Sequence, residues 1–456
     1  MRIVVAGAGK LGETLCIDLA NEGHDILLIE KDGEIIQYLM ERSDISGITG
    51  SCVDYDVQME ADVPNSDLFI AVTGNDEINL LSAILADRLG AKYTVAGVNS
   101  IEYGAHMSFW RQAFGISRII NPKFETAKEI VNNINSPSSI SVESFASGRV
   151  YMHEVMIESN SQLIGMQLSD FRKQFSSLIV CAVLRGDEVY IPHGSFILEE
   201  GDIIQITGLT KDLNAFYTTL GKINKKIENI LIIGGGEITD YLCSIFMKQK
   251  NNAKITVIEK NHDVAWRLAA EFPDITILEG DGTRYNVLND INFDTYDAIV
   301  ALTGIDEENI MVGLRADKAG IPKIISKVNR TEILPIIKDN RKQTIITPKR
   351  IVSDYLIRLA RAYENALGSK IEALYRIFDN KAEILEFMIN KESKIINTPL
   401  RDLELKKDIL IVFILRQNEI IFPTGNDMIL PDDHIVIFSQ EKNFNDIDDI
   451  LIDKLG

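Results

Sequence analysis

Short apolar runs alternate with stretches of helical spacing from the start of the chain to about residue 135. RIVVAG (2–7) stops at a glycine, and KLGETLCIDLANEG (10–23) then sets Leu11, Leu15, Leu19 and Ala20 on one helical face. DILLIEK is a second apolar run and GEIIQYLMERS a short helix; DLFIAVTG, DEINLLSAILADRLG and YTVAGV repeat the step. Strands alternating with helices predict βαβ units and a parallel sheet. The runs lack period-two alternation, which predicts a sheet covered on both faces. Right-handed crossovers then leave a doubly wound sheet as the expected arrangement.

The pattern changes near Ser136. INSPSSISVESFASGR is Ser-rich and weakly apolar and reads as a linker or turn. Beyond it VYMHEVMIE, SLIVCAVLRG, EVYIPHG and DIIQITG are short strands with few helical stretches between them, a small β-rich α+β module. The whole sequence of events then recurs. IVVAGAGKLG at Ile3 returns as ILIIGGGEIT at Ile230, and later pairs keep nearly constant offsets: 234 − 7 = 227, 259 − 30 = 229, 303 − 73 = 230 and 423 − 192 = 231. The small drift needs only a few inserted residues, such as the polar pair in KQKNNAK, so a whole unit is duplicated. EILEFMINK, DILIVFILRQ, EIIFPTG and HIVIFSQ repeat the β-rich module, and the polar LGKINKKIEN (220–229) joins the copies. The expected fold class is α/β: two doubly wound parallel-sheet (Rossmann-like) domains, each followed by a small β-rich α+β domain. The expected boundaries are 1–135, 140–222, 228–365 and 370–456.

Composition narrows the function classes. The chain has 456 residues, room for roughly three or four domains. Its net charge, 47 − 67 = −20, argues against a nucleic-acid backbone and against adhesion to anionic lipid. No apolar run approaches the ~20 residues of a spanning helix; ILIVFIL at 409–415 is of strand length. A strand follows Met1 at once, so no signal peptide is expected. Cys16, Cys52, Cys181 and Cys243 are scattered, with no CxxC, and read as buried thiols of a reducing, cytosolic compartment.

Candidate chemistry starts at Gly7-Ala8-Gly9-Lys10-Leu11-Gly12, a full GxGxxG between a strand and a helix. Gly7 permits a tight turn, Gly9 admits a pyrophosphate to the backbone, and Gly12 lets the helix pack on the sheet. The helix start adds free N–H groups and a positive dipole end. Glu30, 30 − 12 = 18 residues on, stands at the end of the second strand, where a carboxylate accepts from ribose hydroxyls. It disfavours a 2′-phosphate, so NAD(H) or an adenosine nucleotide is expected over NADP(H). In the second copy Gly234-Gly235-Gly236 keeps the turn and Glu259 keeps the acid, but Glu237 replaces Lys10 and Thr239 replaces Gly12. Glu237 opposes phosphate, and Thr239 is expected to push the helix off the sheet. Three readings stay open there: a weaker site, a site for a different nucleotide, or a structural relic. Thr73-Gly74 and Thr303-Gly304 can reach a ligand from the fourth strand, and Asp281 can reach the adenosine edge, where the first copy has Ser51 and Cys52. The helices opening DEIN and DEEN place Asp76, Glu77, Asp306 and Glu307 where they complement the dipole.

The six histidines recur in no metal spacing, and GxSxG, GxxxxGK[ST] and CxxC are absent. His193 reads as a turn residue that becomes Thr424 in the second copy, and His24 as a helix end. An oxidoreductase would need an acid–base pair, and none is evident in the β-rich modules. Residues 338–361 reverse the local charge with Lys338, Arg341, Lys342, Lys349, Arg350, Arg358 and Arg361 against only Asp339 and Asp354, read as a solvated face with a docking surface as the alternative. The acidic tail DIDDILIDK reads as a solvated helix end.

The glycine fingerprint, Glu30, Thr73-Gly74 and the trailing β-rich module, all in tandem, resemble the regulatory subunit of Trk-type potassium uptake systems, the TrkA family. Each copy looks like an RCK (KTN) nucleotide-binding domain followed by its smaller C-terminal domain. EGD at 200–202 and LPDD at 430–433 resemble stretches of that smaller domain. The resemblance implies that Gly7, Gly9, Lys10, Leu11, Glu30, Thr73 and Gly74 hold NAD(H) or another adenine nucleotide such as ATP or ADP. Gly234, Gly236, Glu259 and Asp281 would line a second site. An arginine frequent in the family is Gly97 in VAGVN here, and its counterpart in ISKVN is Lys327. The implied function is gating without chemistry, by a ring of such subunits on the cytosolic face of a membrane potassium-translocating subunit. An NAD-dependent oxidoreductase and a free soluble sensor are the alternatives.

Overall fold

The computed structural model describes residues 1–100, 103, 106–135, 142–145, 149–221, 227–248, 253–334, 343–366, 371–377, 381–417, 419–441, 444 and 446–452. The first sheet contains β1 (Arg2–Ala6), β2 (Asp25–Glu30), β3 (Ile45–Thr49), β4 (Leu68–Ala71), β5 (Tyr93–Gly97) and β6 (Arg118–Ile120). All pair in parallel in the order β3-β2-β1-β4-β5-β6, the doubly wound topology with its switch between β1 and β4. Ile3, Val4, Val5 and Ala6 are fully buried, as a run apolar at every position requires of a sheet with helices on both faces. The crossover helices start where side chains cap them. Asp32, Asp54 and Asn75 accept from Glu34, Asp56 and Ile78 amides, and Gly90 ends the Asp76–Leu89 helix at φ +115°.

Next in the chain are β7 (Val142–Phe145), β8 (Val150–Met156), β9 (Ile179–Arg185), β10 (Glu188–Tyr190) and β11 (Ile203–Leu209), an antiparallel sheet ordered β10-β9-β11-β8-β7. β7 falls inside the segment read as a linker. Its short length at the sheet edge, between Ser-rich flanks that lie outside the described residues, hid it. The second copy repeats both sheets. β12 (Asn229–Ile233), β13 (Lys254–Glu259), β14 (Thr276–Glu279), β15 (Ala298–Ala301), β16 (Lys323–Lys327) and β17 (Gln343–Ile346) are parallel, ordered β14-β13-β12-β15-β16-β17. β18 (Ile371–Ile377), β19 (Ala382–Met388), β20 (Ile409–Arg416), β21 (Glu419–Ile421) and β22 (His434–Ser439) are antiparallel, ordered β18-β19-β22-β20-β21.

The chain divides into two compact units that group like with like. One joins Met1–Asn132 to Ile227–Ala360 and so holds both parallel sheets; the other joins Asn133–Lys226 to Arg361–Gly456 and holds both antiparallel sheets. In the first unit the Pro348–Ala366 helix lies on the Lys10–Asn21 helix: Ser353 Oγ donates to Asp18 Oδ2 at 2.7 Å. Arg118 Nε also donates to the Tyr355 hydroxyl at 2.7 Å. Lys349, Arg350 and Arg358 of the basic stretch are on this helix, while Lys338, Arg341 and Lys342 lie outside the described residues.

In the second unit each antiparallel sheet has two apolar faces. Ile435 and Ile437 of β22 enter their own module's core, while Val436 and Phe438 enter one shared with Val150, Met152, Cys181 and Ala182 of the first copy. The EGD and LPDD motifs have a structural use here. Asp202 is buried and takes two hydrogen bonds from Arg185, at 2.7 and 2.8 Å, while also accepting from the Glu199 amide. Asp433 does the same with Arg416 and the Leu430 amide. Residues 446–452 of the acidic tail are not a solvated helix end, and Asp453 and Lys454 lie outside the described residues. The tail forms a 3-10 turn, Ile447–Ile450, capped by Asp446, with both isoleucines buried. Asp448 accepts from the Ser393 hydroxyl and the Lys394 amide.

Candidate functional site

β1 delivers the chain to Gly7, where φ is +101° and a Cβ would stand 2.9 Å from Thr73 Cα. Only glycine suits that backbone and that clearance, so the glycine loop and the Thr73 turn lie against each other across the β1–β4 switch. Ala8 is buried, and its amide donates to Glu30 Oε2 at 2.6 Å. Glu30 Oε1 accepts from the Lys31 and Asp32 amides at 2.7 and 3.2 Å. The acid at the end of β2 thus holds the loop in place. Gly9 has an extended backbone, φ −62° and ψ 179°, and a Cβ there would meet nothing within 4 Å. That is open space above the loop, at the start of the Lys10–Asn21 helix. Lys10 is exposed beside it and Leu11 half-buried. A Cβ on Gly12 would lie 1.9 Å from the Gly7 carbonyl oxygen, the close helix approach that the third glycine serves.

The Thr73-Gly74 turn is braced by a residue the sequence reading passed over. The Thr73 amide and hydroxyl both donate to Asn79 Oδ1, at 2.7 and 2.6 Å, and Asn79 Nδ2 donates to the Thr73 and Gly97 carbonyls. Gly74 is exposed, with space for a Cβ. Asp76 does more than complement a helix dipole: its buried carboxylate accepts from the Asn99 and Ser100 amides at 2.9 and 2.8 Å, tying the loop after β5 to the turn after β4. In the second copy Asn309 and Asp306 repeat these contacts with Thr303, Lys327, Asn329 and Arg330. The signal was present as D-x-x-N in both DEIN and DEEN, a spacing that puts both side chains on one helical face.

The second glycine loop keeps the frame with different chemistry. Gly234 has φ +106° with a Cβ position 2.8 Å from the Leu302 carbonyl oxygen, and the Gly235 amide donates to Glu259 Oε2 at 2.6 Å. Gly236 faces open space, as Gly9 does. Thr239 is accommodated rather than expelled: it is fully buried and its hydroxyl donates to the Gly234 carbonyl at 2.6 Å, over a first turn tightened by a Thr239 amide–Gly236 carbonyl bond of 2.8 Å. Asp281 accepts from the Thr283 hydroxyl at 2.6 Å, which holds its carboxyl below the usual range, and from Arg284. Cys52, at the matching place, is buried.

Electrostatics separate the two loops most clearly. Lys10 leaves a cation at the first helix start, whereas Glu237 is ion-paired with Lys123 of the first copy. Burial holds the Lys123 ammonium below its usual pKa, opposed by Asp76. Lys327 is lowered by burial in the same way, opposed by Asp306. Free amides at a helix start, an open glycine, a carboxylate at the end of β2 and a polar turn after β4 together suit a phosphate bound to a ribose. Among the described residues no cluster of His, Cys, Asp and Glu could hold a metal ion, and no helix is long and apolar enough to cross a membrane. All four cysteines are buried free thiols.

Fold and site define a tandem of nucleotide-fold lobes, each followed by a small antiparallel module. Residues 3–122 and 230–348 match the TrkA-N domain, and residues 152–221 and 384–452 match the TrkA-C domain. The chain belongs to the TrkA family. Trk system potassium uptake protein TrkA homolog 1 of Methanosarcina mazei is 29% identical over 455 residues, covering 98% of this chain and 99% of its own. The TrkA homolog of Archaeoglobus fulgidus is also 29% identical, over 99% and 100%, and TrkA of Haemophilus influenzae is 27% identical over 98% of each. Among solved structures, the GsuK channel bound to NAD aligns with TM-score 0.61 at 17% identity, over 96% of this chain and 76% of that one. The GsuK RCK domain aligns at 0.60 and 16%, over 96% and 92%. At such identities the shared property is the fold.

Proposed function

We propose that this chain is the nucleotide-binding regulatory subunit of a membrane potassium-uptake system, docked from the cytosolic side and acting without catalysis. The proposal takes 1–135 and 228–365 as nucleotide-binding domains and 140–222 and 370–456 as their C-terminal partners. Full-length relatives named for Trk potassium uptake support the system, and a structural neighbour bound to NAD supports the ligand class. NAD(H) is the first choice of ligand and ATP or ADP the next. Gly7, Ala8, Gly9, Lys10, Leu11, Glu30, Thr73 and Gly74 would hold it in the first copy. Gly234, Gly236, Glu259 and Asp281 would form the second site. The ligand would act by binding two states of a ring of such subunits with different affinity, the only way a ligand shifts such an equilibrium. No step of this reading needs nucleic acid or insertion into lipid.

The observation that carries the reading is the open space at Gly9 above a loop held by Glu30. It also supplies a clean test. The Gly9 backbone is one any residue adopts and its Cβ position is empty, so Gly9→Asp leaves the fold unstrained and places a carboxylate where a phosphate would sit. Titrated with NADH, the variant should lose the tighter of its binding events while its melting temperature stays within a degree or two of wild type. Cells lacking this chain should recover potassium uptake with wild type and not with Gly9→Asp. Unchanged NADH affinity, or uptake that ignores the chain altogether, overturns the proposal.

A further inference from the structure

A dinucleotide on a doubly wound sheet lies across the carboxyl ends of the strands, one half toward β1 and β2 and the other toward β4, β5 and β6. In the first copy the β1–β2 half is open at Gly9. The other half is not. Ser100, just past β5, and Asn121 and Lys123, just past β6, are all met by one helix of the second copy, Glu237–Lys248. Asn121 Nδ2 donates to the Tyr241 hydroxyl at 2.8 Å, and that hydroxyl donates to the Ser100 carbonyl at 3.4 Å. The Tyr241 ring sits edge-on to Phe124 at 5.6 Å, and Glu237 pairs with Lys123. Ser100 is in turn fixed through its amide to Asp76, two residues beyond Gly74.

The arrangement is one-sided. By the copy offset, 241 − 227 = 14, Tyr241 corresponds to Thr14, whose hydroxyl is spent on the Lys10 carbonyl within its own helix at 3.0 Å. Among the described residues, Thr14 therefore makes no side-chain hydrogen bond to the second crevice that would match Tyr241. Burial pushes the Tyr241 phenol up to about 12, so the hydroxyl remains a donor throughout the physiological range.

We infer that Tyr241, with the Glu237–Lys123 pair, is a cap contributed by the second copy over the β5–β6 half of the first crevice. It selects between nucleotides by length. A mononucleotide fits beside the cap, whereas a dinucleotide must displace it and loosen the packing of one copy on the other. The inference rests on the nucleotide reading above and adds which residues set the preference.

The test compares NADH with AMP on the full chain, wild type and Tyr241→Phe. The substitution keeps the ring against Phe124 and removes both hydroxyl hydrogen bonds, the shorter to Asn121 and the longer to Ser100. NADH should tighten about fivefold to tenfold, AMP should not move, and the gain should vanish in Gly9→Asp/Tyr241→Phe, which places it at the first site. NADH and AMP responding alike, or NADH weakening, overturns the cap while leaving the nucleotide reading intact. Binding of neither ligand to wild type removes the nucleotide reading and the cap with it.

Discussion

Gly12 and Thr239 occupy equivalent places in the two copies and solve the same packing problem differently. At Gly12 a single added carbon would overlap the Gly7 carbonyl at 1.9 Å, so the first copy depends on having no side chain there. The second copy spends a side chain instead, donating the Thr239 hydroxyl to the Gly234 carbonyl. Gly12→Ala is therefore an overpacking change at a rigid backbone contact, and should cost roughly 1–3 kcal/mol in a denaturant melt. Thr239→Ser, which keeps the hydroxyl, should cost well under half as much. Equal costs would mean that the two helices meet their loops in the same way. At this scale the glycines were legible, because a loop needing a positive φ or a close approach leaves glycine behind; Glu30 and Glu259 were placed at the ends of their strands, but their bonds to the loop amides were not read. Asn79 and Asp76 were not, since their partners, Gly97, Asn99 and Ser100, are some twenty residues away and become neighbours only when β5 pairs with β4.

Among the elements, the Pro348–Ala366 helix carries a titration that can be read from outside. Asp354 lies beside Ser353, which bonds to Asp18 of the Lys10–Asn21 helix. Burial raises its carboxyl from 3.8 to about 6; Arg358 and Arg350 pull it down, and Asp18 pushes it up. A carboxyl whose folded pKa lies above its unfolded value binds its proton more tightly in the native state. Its contribution is thus most favourable below about pH 4 and is lost as pH rises through about 6. The loss is on the order of 2–3 kcal/mol. Asp354→Asn, neutral at every pH, should be more stable than wild type at pH 7–8, and the difference should shrink steadily between pH 6 and 4. A difference independent of pH would show that Asp354 ionises in the fold as it does in water. The sequence presented this helix as a basic, solvated face. Its charge pattern was visible, but the second helix against which it buries a carboxylate belongs to the other copy, and no local pattern names that partner.

For the whole molecule, duplication was legible and pairing was not. Constant offsets reveal two copies, yet they are equally compatible with copies that fold side by side and copies that interlock. The structure groups like modules together, because each antiparallel sheet is apolar on both faces and its own module covers only one. Val150, Met152, Cys181 and Ala182 on one side and Ile384, Val412, Phe413 and Phe438 on the other exclude water from each other. Burying a large apolar side chain contributes about 1.5–3 kcal/mol, so the shared core is worth a substantial part of a domain's stability. A chain ending after the first copy would expose that face, and its nearest substitute for the missing half is the same face of another first copy. Residues 1–222 expressed alone should therefore run as a dimer or larger assembly in light scattering at micromolar concentration. Val150→Asp, which puts a charge into the face, should return the fragment to a monomer with lower stability. A wild-type fragment that stays monomeric and melts cooperatively would mean that the shared core follows from the covalent link between the copies and does not drive their pairing.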